Sequence, residues 1–159
     1  MAGSKQLAKR IRELFLDGLW IANTNYKDQL SSITREQAIT KIGSLNSIAD
    51  LTFHINYYLA GLIRVLEGGQ LDIHDQFSFD LQPLETESDW QNLVSELFSN
   101  AGQFADLVEQ MPDAALDQPF VEAKYGTNLR NIEAIIEHGY YHLGQVSLIR
   151  KMMYFQIED

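Results

Sequence analysis

Two of the chain's four histidines, His138 and His142, stand four residues apart in a stretch whose apolar residues keep helical spacing. On a helix that spacing puts both imidazoles on one face, a turn apart and within reach of a shared ion. A third, His54, falls near the middle of another amphipathic stretch, and the core of a helical bundle is where ligands from facing helices converge. Neutral imidazole suits zinc, nickel, copper and iron. Three nitrogen ligands leave one or more positions open to water or substrate, the pattern of a catalytic site rather than a closed structural one. The competing reading makes each an ordinary hydrogen-bonded histidine in a core or at its rim. His74, in LDIHDQF, reads as a solvated loop residue rather than a ligand.

The neighbours of these histidines could tune such a site. Asp50, four residues before His54, and Gln145, three after His142, share their helical faces and could orient a ring. Tyr57, Tyr58, Tyr140 and Tyr141 flank the histidines. A phenol beside an open metal position can give a proton or a hydrogen bond, although tyrosines at helical spacing also fill core edges.

Four stretches must position these side chains. From Leu7 to Leu30 the residues Leu7, Ile11, Leu14, Phe15, Gly18, Leu19, Ala22 and Tyr26 form one helical stripe, read as helix one. Thr34 and Gln37 resemble a capping box opening a short turn that Gly43 ends. A second long helix starts with Asn46 or Ser47 as its cap and runs to Leu66, before Gly68 and Gly69. Residues 70–84 read as a connector, because Pro83 and the isolation of the run argue against a sheet. A third helix is capped by Thr86 or Ser88 and ends at Met111-Pro112; residues 113–126 are loop-like; a fourth begins after Thr127 or Asn128 and passes Met153. The expectation is an all-α four-helix bundle forming one domain over residues 1–159, with two connectors long enough for one to cross an end of the bundle.

Composition narrows the function classes. The 12 basic and 22 acidic side chains give a net charge of -10, which repels phosphate backbones and anionic lipid, so neither nucleic acid nor a membrane is an expected partner. No run approaches the roughly 18 apolar residues of a membrane span. The opening MAGSKQLAKRIRELF has neither the apolar region nor the cleavage site of a secretory signal, so a cytoplasmic location is expected. With no cysteine there is no disulfide, thiolate ligand or cysteine nucleophile, and any metal is held by nitrogen and oxygen.

The stretch NIEAIIEHGYYHLGQVSLIRK resembles the His-x-x-x-His-Leu-Gly-Gln segment of the DinB-like, or DinB/YfiT, superfamily of metalloenzymes. NSIADLTFHINYYLAGLIRVLEGG is similar to that family's second helix with its single metal-binding histidine, ITREQA to the segment before it, and helix one with Trp20 to the family's first helix. The resemblance implies His54, His138 and His142 as metal ligands, a four-helix bundle running up-down-down-up, and a homodimer. It implies no DNA binding, in agreement with the acidic charge. Zinc is the first metal expected, with nickel or iron as alternatives.

For activity the resemblance implies two readings, a third comes from a different class, and their order rests on the resemblance alone. First comes a transferase that activates a low-molecular-weight thiol, such as bacillithiol or mycothiol, for attack on a small-molecule substrate. Such thiols carry carboxylates or sugars, so a cation is expected in the pocket, from Arg64, Arg130 or Arg150, each of which could equally be a surface charge. Second is a metal-dependent hydrolase with Asp50 or a tyrosine moving the proton. Third is a non-catalytic bundle in which an ion staples two helices.

Overall fold

The computed structural model describes residues 3–155. Helix α1, Ser4–Phe15, buries Leu7, Ala8, Ile11, Leu14 and Phe15. It stops well short of Leu30, so the expected helix one is two helices with a turn between them. The cause is local. Ala22 and Asn23 take positive φ angles of 56° and 53°, which no α-helix accommodates. Asn25 then starts a new helix, α2, Tyr26–Leu30, by accepting from the Asp28 N–H, while its amide donates to the Gly18 carbonyl at 2.8 Å. The stripe residues in the break face outward, Leu19 at 57% and Trp20 at 84% exposure. Tyr26 regains the core, stacking on Phe15 with centroids 5.0 Å apart and donating to the Gly139 carbonyl at 2.8 Å.

The remaining helix starts follow their caps. Thr34 and Gln37 form a capping box for α3, Arg35–Ile39; Ser47 and Asp50 form one for α4, Ile48–Leu66; Thr86 and Asp89 form one for α5, Glu87–Gln110. Each box satisfies two otherwise orphaned backbone donors, the kind of contact whose loss costs about 1 kcal/mol. Gly68, at φ 88°, follows the end of α4, and Met111 before Pro112 ends α5. A four-residue helix α6, Asp113–Leu116, precedes the longest helix, α7, Asn128–Phe155. Among the described residues there are seven α-helices and no β-strand, only an isolated bridge between Pro119 and Thr127.

The four longest helices pack pairwise, α1 against α5 and α7, and α4 against α5 and α7. Trp90, Tyr26, Phe15 and Phe104 are the largest side chains enclosed between them, and the Trp90 indole N–H donates to the Ile33 carbonyl at 2.8 Å. Truncating a buried aromatic of this size costs about 3–5 kcal/mol, so the frame that faces α4 toward α7 is stiff. No helix among the described residues is long and apolar enough to cross a membrane.

Candidate metal centre

The faces that α4 and α7 turn toward one another carry the three histidines. His54 and His142 are each 6% exposed, and His138 is half-buried. The Nε2 atom of His138 lies 3.1 Å from that of His54 and 2.8 Å from that of His142. One ligand atom from each ring lies within 4.8 Å of the others.

The opposite ring nitrogens fix which lone pairs point inward. His54 Nδ1 is 3.2 Å from the Ser78 carbonyl, and His142 Nδ1 is 2.5 Å from Gln145 Oε1. Both partners are acceptors, so each Nδ1 carries the proton and each Nε2 presents a bare lone pair. A proton on His138 Nε2 could satisfy only one of the two. Three converging nitrogens with at least two bare lone pairs suit a cation. Donors about 2.0–2.1 Å from a zinc ion lie roughly 3.3 Å apart in a tetrahedral arrangement, so small ring adjustments bring this set onto a single ion.

Electrostatics agree with that donor set. Burial lowers the pKa of all three histidines, and the neighbouring imidazoles lower His138 further, to about 4. At neutral pH all three are therefore uncharged and able to ligate.

The connector between α4 and α5 walls the site. Phe79 stacks on His54 with centroids 4.0 Å apart. Tyr58 meets His54 and His138 edge-on at 5.1 and 5.3 Å and donates its hydroxyl proton to Asp75 Oδ1 at 2.9 Å. Burial, then Asp75, holds that phenol above its usual pKa. The Tyr57 hydroxyl donates to the His74 carbonyl at 3.1 Å and accepts from the His74 N–H at 2.9 Å. A cavity of about 590 Å³ opens beside His138, with Tyr58, Leu62, Ile73, Asn131 and Ile135 in its walls.

The sequence-predicted residues divide clearly. His54, His138 and His142 come together, and Gln145 reaches a ring as its spacing suggested. Asp50 does not: its carboxylate accepts from the Ser47 N–H at 2.9 Å and lies 3.4 Å from Lys41 Nζ, so capping claims it. His74 is exposed and paired with Asp72 at 3.0 Å, with its residue at the cavity wall. Tyr140 turns toward the α1 side, in a hollow with Arg10 and Glu13. Arg64 lies near Asp72, Arg130 pairs with Glu137, and Arg150 donates to the Gln29 carbonyl and Ser32; none lines the cavity. Ser78, Phe79 and Asp75 were not anticipated, because loop contacts to a histidine leave no periodic signal.

An all-helical chain with three imidazole nitrogens converging between two facing helices fits the class of metal-binding helical proteins. The chain belongs to the DinB superfamily, whose family model matches residues 22–146, a span that includes all three histidines. Comparison with the curated proteins and with the solved structures gave no match.

Proposed function

We propose that this is a metal-dependent enzyme whose ion is held by His54, His138 and His142, with zinc first and nickel or iron as alternatives. The observation that carries this reading is the pair of bare Nε2 lone pairs aimed at a third imidazole, with a cavity opening beside it. Among the described residues no further histidine or carboxylate joins the group. The ion's open side would then face the cavity, unlike the saturated coordination of a structural site. That disfavours a purely stapling role.

Our first reading of the chemistry is transfer to or from a low-molecular-weight thiol supplied from solution. Held by these three histidines, an ion would lower the pKa of a thiol that approached it. The thiolate sulfur would then bond to an electrophilic carbon of the substrate as the bond from that carbon to its leaving group breaks, and the departing group would take up the proton that the thiol gave to solvent. The chain's own residues hold the geometry: Ser78 and Gln145 lock the His54 and His142 rings, Phe79 keeps water from one ring face, and Tyr58 offers a polar atom beside His138. A hydrolytic reading ranks second. It draws on the Tyr58–Asp75 pair, since Asp50 is committed elsewhere.

The same reading takes the chain as a single-domain, cytoplasmic homodimer whose four long helices run up-down-down-up. It has small-molecule partners and neither nucleic acid nor membrane as a ligand.

Elemental analysis of the purified protein beside His54→Ala and His142→Ala, with a chelator-stripped control, tests the core of the proposal. About one metal per chain in the wild type and loss in both variants supports it, and a thiol screen follows. A protein that purifies without metal and refuses zinc, nickel and iron in titration overturns it.

A further inference from the structure

The walls of the cavity beside His138 select for charge. Leu62, Leu71, Ile73 and Ile135 supply apolar surface, and no lysine or arginine is among the lining residues. Three cations close in sequence to lining residues have acidic partners of their own: Arg64 lies 3.8 Å from Asp72, Arg130 2.9 Å from Glu137, and Lys124, whose Nζ is 4.9 Å from the centre of the lining Tyr125 ring, 3.1 Å from Glu122. Asp72 and Asp75 add negative charge to the connector that roofs it, in a chain of net charge -10. An anion buried here would lose its hydration and meet no lysine or arginine in the walls, with Lys124 already paired to Glu122.

The polar atoms select for hydrogen-bond type. Tyr58 gives its only proton to Asp75, which leaves an oxygen lone pair. Asn131 gives both amide hydrogens away, to the Tyr125 carbonyl at 2.8 Å and the Thr127 carbonyl at 2.9 Å, which leaves its Oδ1. Both groups are therefore acceptors; of the other polar side chains in the wall besides His138, His74 is paired with Asp72 at 3.0 Å and Tyr125 has its ring under Lys124. A volume of about 590 Å³ is the size of a small organic ligand.

We infer that this cavity takes an uncharged, largely apolar organic substrate bearing a hydroxyl or N–H donor, with its reacting end against His138. In the thiol-transfer reading, on which the word substrate rests, this is the electrophilic partner.

Two fluorescent probes test this: N-phenyl-1-naphthylamine and 8-anilino-1-naphthalenesulfonate, which share a ring frame and an N–H but differ by one sulfonate. Titrated against the protein as purified and after chelation, the neutral probe should bind in one-to-one ratio and about tenfold or more tightly than the sulfonate. Ala134→Phe, which fills the cavity, should weaken the neutral probe by a similar factor with metal content unchanged. Leu71→Lys, on the connector, should shift the preference toward the sulfonate and serves if Ala134→Phe does not fold. Equal binding of the two probes, or a preference untouched by both variants, overturns the inference. Metal content on the same samples separates the two ideas. Neutral-probe selectivity in a protein that holds no metal and refuses zinc, nickel and iron in titration supports the cavity assignment while sinking the metalloenzyme reading; reversed selectivity with metal present sinks the cavity assignment alone.

Discussion

Gln145 accepts the Nδ1 proton of His142, so Gln145→Ala should weaken metal binding without removing a ligand. Loss of a residue that orients a ligating histidine costs about 10–100-fold in affinity, or roughly 1.4–2.7 kcal/mol. The lower end is expected here. His142 is 6% exposed, with Tyr141 edge-on at 4.8 Å and His138 at 4.5 Å, and this packing retains the ring position after the acceptor is gone. What is lost is the fixed tautomer and the added basicity at Nε2. Gln145→Glu restores an acceptor and adds negative charge, so its affinity should equal or exceed the wild type's. The assay is competition with a chromophoric zinc chelator at neutral pH. Metal-free melting curves alongside should fall by no more than about 1 kcal/mol of stability, the worth of one partly solvated hydrogen bond. If Gln145→Ala binds zinc within about twofold of wild type while His142→Ala does not bind it, the tautomer argument is refuted.

Acid should destabilise the metal-free protein. The three histidines titrate below the value of about 6.5 that they have when unfolded, His138 near 4, so the unfolded chain takes up protons first. Their contribution is fully present above about pH 6.5 and is lost as pH falls toward 4. Metal-free melting temperature should drop more steeply across that range in wild type than in His138→Ala, and parallel slopes would reject the assignment. In Gly139→Ala the new methyl would run into Leu14 Cδ2 and approach Phe15 Cζ at 3.4 Å. Overpacking of this kind costs about 1–3 kcal/mol, several degrees in melting temperature for a chain of this size. Because His138 is the adjacent residue, zinc affinity should fall too; an unchanged melting curve would mean that α1 retreats freely. Sedimentation at micromolar concentration should give a species near twice the 18.2 kDa chain mass, and a monomer there removes the dimer from the proposal.

What could be read from the sequence was whatever is encoded locally. The starts of α3, α4 and α5 sit at Thr34, Ser47 and Thr86, residues whose side chains bond to backbone three positions on. The spacing of His138 and His142 likewise needed only helical geometry. Helix one failed because periodicity records which residues are apolar, not whether a partner covers them. Leu19 and Trp20 fit the stripe yet face solvent, and the stripe overrode the turn signal of Asp17-Gly18 just past the end of α1. Asp50 shows the same limit in reverse, since its spacing from His54 is right but the nearer Ser47 N–H takes its carboxylate.

The connector between α4 and α5 is where the local reading runs out, and it is also where the site acquires its character. One short run of chain supplies the Ser78 carbonyl that fixes the His54 tautomer, the Phe79 ring stacked on that histidine, the Asp75 carboxylate that takes the Tyr58 proton, and the Leu71 and Ile73 side chains that roof the cavity. Helix α4 is shaped to receive it. A side chain at Gly61 would place its Cβ 2.5 Å from Ile73 Cγ1, and Tyr57 clasps both backbone polar groups of His74. Three histidines on two helices make a site that can hold an ion, and many chains of this architecture could carry them. The connector decides which lone pairs face inward, which face stays open and what charge the opening admits. Differences in substrate among chains with the same three histidines should therefore follow residues 70–79 rather than the ligands.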